Sequence, residues 1–322
     1  MDKKELKASI LLTLAAMIWG LAFVAQRVGS RYVGYFTYTG IRFALGALSL
    51  LPLMYIKKKK EKNTSNEYTE SDSGIDSKTL LKLGITAGFI LFAAANLQHR
   101  GLEETTAGKA AFITGFYIIL VPIFGIFLKQ KPDAKTWISA VLALIGLYLI
   151  SMQENFSISR GDFFVFLSSF FFAAHILLIN QYAKSVDTMK LSFVQYSFCS
   201  IFSLIAAVIF EEIKISAILE AGIPILYGGI FSVGIAYTLQ ITGQKHAKAA
   251  HAAVIMSLEA LFAVIGGALI LDESMYIRGY IGCMFMIISV LVSQYQGKFS
   301  LGSGVSRKNQ QYIEVEEEYK IY

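Results

Sequence analysis

The sequence predicts an all-α integral membrane protein of ten transmembrane helices, arranged as two inverted five-helix repeats. Three observations predict it. First, ten apolar stretches run through the 322 residues, each near the roughly 20 residues that cross a bilayer. Second, the halves are alike: 91–113 matches 233–255 without a gap, at a constant shift of 142 positions that carries Leu97 onto Leu239. Ala94, Gln98, Gly101, Ala107, Ala110, Ala111 and Ile113 recur as Ala236, Gln240, Gly243, Ala249, Ala252, Ala253 and Ile255. Third, Lys and Arg divide 21 against 7 between alternate sets of loops, with Arg42 inside a span. Five spans per half is an odd number, so like halves must enter the membrane in opposite senses. Such repeats are the architecture of secondary transporters, with a site between the halves near the midplane.

The spans follow in order. The first, 8–26, comes after Lys3, Lys4 and Lys7; this opening is like a signal peptide, but no small-residue cleavage site follows, so an uncleaved helix is expected. The second, 36–56, runs into lysines at 57–60, and 57–79 is a polar loop with too little apolar surface to offset the entropy of ordering. The third, 80–97, places Gly84 and Gly88 four apart, a small-residue face for close helix contact. Lys131, Pro132 and Asp133 separate the fourth, 106–128, from the fifth, 136–152. The second half repeats the scheme at 163–182, 191–210, 223–242, 249–271 and 276–295, with Asp272, Glu273 and Ser274 between the last two. The expected units are a first repeat at 1–152, a second at 160–296, and a polar cytoplasmic tail at 297–322 ending in Glu314, Glu316, Glu317 and Glu318. Loop and tail read as solvated segments, with a regulatory role as the alternative.

Composition narrows the function. Hydrophobic residues make up 55%, charged residues 16%, and the mean hydropathy is +0.55, against about 25% charge in soluble domains. Little chain remains for a soluble domain. Only Cys199 and Cys283 occur, both inside apolar segments, so neither a disulfide framework nor a thiolate site is expected. The net charge of +6 reflects topology rather than nucleic-acid binding. The positive-inside rule puts both termini in the cytoplasm, and a plasma-membrane location is expected. Gly108-Lys109 lacks the glycine a phosphate loop needs at 103, where Glu stands. His246 and His251 are five apart with no carboxylate beside them in sequence, a poor metal pair. No Gly-x-Ser-x-Gly elbow is present. No cofactor and no metal are expected.

The motifs resemble those of the EamA-type permeases of the drug/metabolite transporter superfamily. Trp19-Gly20-Leu21-Ala22-Phe23-Val24 is similar to the family's WG-x-x-F/Y-V opening, and Arg42-Phe43-Ala44-Leu45-Gly46-Ala47 to its R-F/Y-small pattern. The stretch from Leu97 to Pro122 resembles the family's first-repeat segment; Ser257-Leu258-Glu259-Ala260 and Asp272-Glu273-Ser274 resemble its second. Ala260 stands where the family usually has proline, so a straighter ninth helix is expected. The resemblance implies a ten-helix permease for small organic solutes, amino acids or other metabolites, often moved outward.

Polar groups inside the spans are the candidate site. Glu259 is the one carboxylate near a span centre; a charge there costs at least about 2.5–3.5 kcal/mol on insertion scales, so it must face the interior. It could carry a coupling proton, recognise a substrate amine, or make a buried bond, for instance to Arg42. Tyr117 is its counterpart under the shift. Gln98 with Gln240, and Asn96 with Thr238, are further counterparts; the pairs either line two ends of a pathway or bond between helices. Trp19 and His175 lie at comparable depths and are substrate-contact candidates, His175 otherwise being a satisfied interior imidazole. Tyr237 is counted with these candidates. Arg42, in the outer third of its helix, could hold an anionic group, but snorkelling to the outer headgroups is expected.

The expected function is therefore a secondary transporter of an amino acid-like or drug-like solute, an exporter working by alternating access, with protons as the possible coupling ion. An integral membrane enzyme or a non-transporting scaffold is the alternative; the first would need clustered acid, base or metal groups, and a single glutamate is found. Reporter fusions at Asn66 and Gln310 are expected to give cytoplasmic signals. An extracellular signal at either would overturn the topology.

Overall fold

The computed structural model describes residues 3–63, 76–151, 159–270 and 277–294. Within them the chain is helical, without a strand: α1 (Lys3–Gly29), α2 (Tyr35–Asn63), α3 (Ser77–Leu102), α4 (Ala107–Thr114), α5 (Tyr117–Phe127), α6 (Ala134–Ser151) and α7 (Arg160–Tyr182). There follow α8 (Thr188–Phe210), the short α9 (Ile215–Glu220) and α10 (Gly222–Leu226), a π-helical segment (Tyr227–Tyr237), α11 (Thr238–Gln244), α12 (Ala249–Met256), α13 (Glu259–Ile270) and α14 (Ile277–Gln294). Counting α4 with α5, α10 through α11, and α12 with α13 as single stretches, nine are long and apolar enough to cross a bilayer; α6 is a shorter apolar helix. A helix satisfies its backbone within itself, which hydrocarbon demands. Most of the loop expected at 57–79, the turn at Asp272-Glu273-Ser274 and the tail at 297–322 lie outside the described residues.

Three spans depart from the unbroken helices that the sequence predicts. Between α4 and α5 the ladder tightens: Phe116 N–H donates to Ile113 O at 3.2 Å and Ile118 N–H to Gly115 O at 3.0 Å. Between α12 and α13 it tightens again, with Leu258 N–H on Ile255 O and Ala260 N–H on Ser257 O, both at 3.1 Å. The turn ahead of Ala260 tightens without a proline at that position. Both tightened turns fall at one register: α4 and α12 start at Ala107 and Ala249, α5 and α13 at Tyr117 and Glu259. The third departure is the π segment, a rare winding that often marks functional sites.

Glycine sets how closely the helices approach. A Cβ on Gly101 of α3 would stand 2.4 Å from Gly161 O of α7, and one on Gly161 would stand 2.5 Å from Gly101 O. Gly146 and Gly282 join α6 and α14 in the same way, at 2.7 and 2.6 Å. Gly84 and Gly88 pack on Val194 and Gln195 of α8. Gly20 matters most for the interior: its missing side chain lets α1 meet the first turn of α13, where a Cβ would stand 2.7 Å from Glu259 O.

Charged groups brace the helix ends. Glu211 receives Phe36 N–H, Thr37 N–H and the Thr37 hydroxyl at 2.8, 2.8 and 2.7 Å, closing the start of α2. Asp187 caps α8 through the N–H groups of Met189 and Lys190, and pairs with Lys57. Burial alone would raise the Asp187 carboxyl, but the Lys57 ammonium and the two N–H donors hold it below its ordinary value. A depressed carboxyl contributes stability that is present above its unfolded value, about 3.9, and lost as pH falls through the folded one. Thermal unfolding in detergent between pH 3 and 7 should show an acid-side loss that is shallower in Asp187→Asn. Parallel curves would remove Asp187 as a contributor.

A buried polar site between α1, α4, α7 and α13

Interior polar groups converge from both halves of the chain. Tyr117, the first residue of α5, donates its hydroxyl to Glu259 Oε1 at 3.1 Å, and Glu259 is the first residue of α13. Both side chains line a central cavity with Trp19, Gln98, His175, Tyr237 and Gln240. Of the eight candidate residues in the sequence, seven are therefore brought together. Asn96 is not: its amide donates to Ser203 Oγ at 2.9 Å and Phe92 O at 2.8 Å, within the contact of α3 with α8. Its counterpart Thr238 bonds to Gly234 O and Tyr196, again away from the cavity.

Each lining residue has an identifiable support. Trp19 donates its indole N–H to Ser232 O, a carbonyl of the π segment, at 3.1 Å. Its ring meets Tyr237 edge-on at 4.7 Å between centroids, and Tyr237 in turn touches Phe43, Tyr196 and His175. Gln98 donates to Thr114 Oγ1 at 3.0 Å, at the last residue of α4. His175 Nε2 lies 3.1 Å from Gln195 Oε1. Gln240 Oε1 is buried without a hydrogen-bond partner.

Arg42 corrects the sequence expectation. It is only 3% exposed and lines the cavity instead of reaching the headgroups. Its guanidinium stands 5.3 Å from the Phe43 ring centroid and 5.7 Å from that of Tyr38, a cation–π arrangement. Its Nε has no hydrogen-bond partner. Among the described residues no carboxylate comes within 4.0 Å of it, Glu259 included. Tyr237 sits in electrostatic reach of both. One buried cation and one carboxyl thus share a cavity without neutralising each other.

Sequence reasoning also missed Ala22, Phe23, Gln26, Phe172 and Ile176, all of which line the cavity. A signal existed. Trp19, Ala22, Phe23 and Gln26 have the i, i+3, i+4, i+7 spacing of one helix face, and Phe172, His175 and Ile176 repeat its first three positions.

The cavity is about 40 Å³. That is room for a few waters, far below the roughly 300–1,000 Å³ of small-molecule sites. The opposite ends of the helices that line it differ. At one, Lys109 Nζ pairs with Asp162 at 2.7 Å and Arg27 donates to Leu102 O and Glu103 O at 2.7 and 3.0 Å. At the other, a cleft of about 500 Å³ opens beside Glu5, Asp133, His246, His251 and Ser293. His251 is the counterpart of Lys109 under the 142-residue shift.

Comparison with known proteins agrees with the motifs. The model of the EamA-like transporter family matches residues 6–152 and again 159–295. An uncharacterized transporter of Archaeoglobus fulgidus is 30% identical over 291 residues, covering 90% of this chain and 86% of its own. The uncharacterized transporters YetK and YoaV of Bacillus subtilis are 24% and 21% identical, over 92% and 87% of this chain and 89% and 94% of theirs. One solved crystal structure superimposes with a TM-score of 0.74 at 14% identity, over 92% of this chain and 99% of that one; this likeness concerns the fold alone.

Retaining an arginine in the interior without a carboxylate partner should cost stability, since apolar replacements of buried charges are often stabilising. Arg42→Met, of similar length, is expected to gain about 1–2 kcal/mol, read as a higher Tm in detergent. A fall of that size would make the guanidinium part of the packing rather than of a site.

Proposed function

The chain belongs to the EamA-like transporter family, a multi-pass membrane protein, and from that premise we propose that it exports a small amino acid-like solute by alternating access. The carrying observation is the hydrogen bond between Tyr117 and Glu259. Positions equivalent under the 142-residue shift meet in the interior, as residues on a two-fold axis in the membrane plane would. The matched starts of α4 with α12 and of α5 with α13 favour the same reading. We take the repeats as 1–152 and 160–296, ten spans with α6 as the fifth, both termini in the cytoplasm, and the plasma membrane as the location.

The chemistry of the cavity suits a zwitterion. Arg42 offers a guanidinium fork to a carboxylate, Glu259 faces an amine or holds a proton, and the rings of Trp19 and Tyr237 give an apolar surface between them. The present cavity is too small for such a solute, so its entry requires the halves to part. The end closed by Lys109 and Asp162 is the outer one under this topology, and the cleft at His251 is the inner one. Exchange of closure between these ends is the alternating-access step. A lipophilic, drug-like solute is the second reading, favoured by the aromatic lining.

Proteoliposomes decide between roles for Glu259. Amino acid mixtures are first screened for counterflow; Glu259→Gln is then measured for exchange and for pH-driven flux. A coupling proton predicts lost pH-driven accumulation with exchange retained. An amine-recognising carboxylate predicts loss of both. Retained pH-driven flux would rule out the proton role, and absence of any counterflow by the wild type would overturn the substrate class.

A further inference from the structure

A cleft of about 650 Å³ lies between the C-terminal part of α2 and the start of α8, remote from the central cavity. We propose that it is a binding site for an anionic phospholipid, with the phosphate among Lys57, Lys58 and Lys190 and an acyl chain along Leu51 and Tyr55. One wall is apolar and open to the outside: Leu51 is 44% and Tyr55 70% exposed. It continues the belt of Leu48, Leu53 and Ile56, all exposed, and that belt ends where the lysines begin. The other wall is cationic. Lys58 and Lys190 are exposed, and Lys57 is half-buried against Asp187.

Asp187 is the carboxylate inside the cleft and must be accounted for. Its oxygens are occupied by Lys57 and by the Met189 and Lys190 N–H groups, so its charge is matched locally. Among the described residues that line the cleft, three lysines stand against one carboxylate, and the start of α8 adds the positive end of a helix dipole. The positive-inside rule accounts for lysines in a loop but not for their position on the rim of an open apolar wall. Basic pockets between spans suit anionic headgroups. A free phosphate would leave Leu51 and Tyr55 unused, and a zwitterionic lipid would gain less from three lysines. The assignment stands apart from the transport reading.

The test uses the full chain in phosphatidylcholine nanodiscs, with or without a minority of phosphatidylglycerol. Native mass spectrometry reads the lipid retained, and thermal unfolding reads its effect. The wild type should retain phosphatidylglycerol preferentially and melt higher with it. Lys58→Gln with Lys190→Gln should reduce that preference on the order of tenfold. Lys4→Gln with Lys184→Gln, lysines outside the cleft, should preserve it. Inorganic phosphate alone should not raise Tm. Equal retention of both lipids by the wild type, equal losses in both double variants, or full stabilisation by inorganic phosphate would each overturn the site.

Discussion

A carboxyl group in the middle of a bilayer needs a partner within the protein, and the packing around Glu259 is arranged to provide one. The hydroxyl comes from Tyr117 on α5, so α5 and α13 must present their first turns to each other. Both first turns follow a tightened stretch of backbone, which precedes the two hydrogen-bonded side chains. Gly20 then lets α1 close on the carbonyl of Glu259, and this brings Trp19 to the cavity. Without a glycine there, α1 would be held off by a Cβ standing less than 3 Å from three heavy atoms. The tryptophan–glycine motif is thus a packing requirement and a site residue in adjacent positions.

The π segment extends this arrangement to the other wall. Wider winding spreads Tyr227–Tyr237 over fewer turns than an α-helix would use. Its glycines lie against α2: a Cβ on Gly229 would stand 2.6 Å from Leu45 Cβ, and one on Gly228 would stand 3.0 Å from the Tyr38 hydroxyl. In the same stretch Ser232 O meets the Trp19 indole, and Tyr237 closes on its ring. The equivalent stretch of the first half, in α3, is ordinary α-helix. The two halves therefore build unlike walls from like sequences.

Much of this was legible in the sequence. Apolar length placed the helices, and the 142-residue register pairs Tyr117 with Glu259, because that register fixes which positions correspond. Seven cavity residues followed from polarity within spans. The choice of Asn96 beside Gln98 failed for a reason the sequence already contains: two residues apart on a helix is about 200° of rotation, so both cannot face one cavity. Arg42 was harder. A long side chain in the outer third of a helix can reach headgroups or bend inward, and only the rings of Tyr38 and Phe43 beside it decide. The π winding left no trace in composition, since glycine, serine and aromatic residues suit an ordinary span equally well.

The separation of Arg42 from Glu259 is the last consequence of this packing. Direct pairing would satisfy both charges and leave nothing for a solute to recognise. Tyr237, held by Trp19, Phe43 and Tyr196, lines the same cavity as both groups. The glutamate takes a neutral hydroxyl and the arginine takes aromatic faces, partners weaker than a carboxylate–guanidinium pair. Under the proposed function, a zwitterion would supply the stronger partner to each, and a solute shifts a conformational equilibrium only through such a difference in interaction. The proposed transport cycle would draw on two groups that are left undersatisfied in this way.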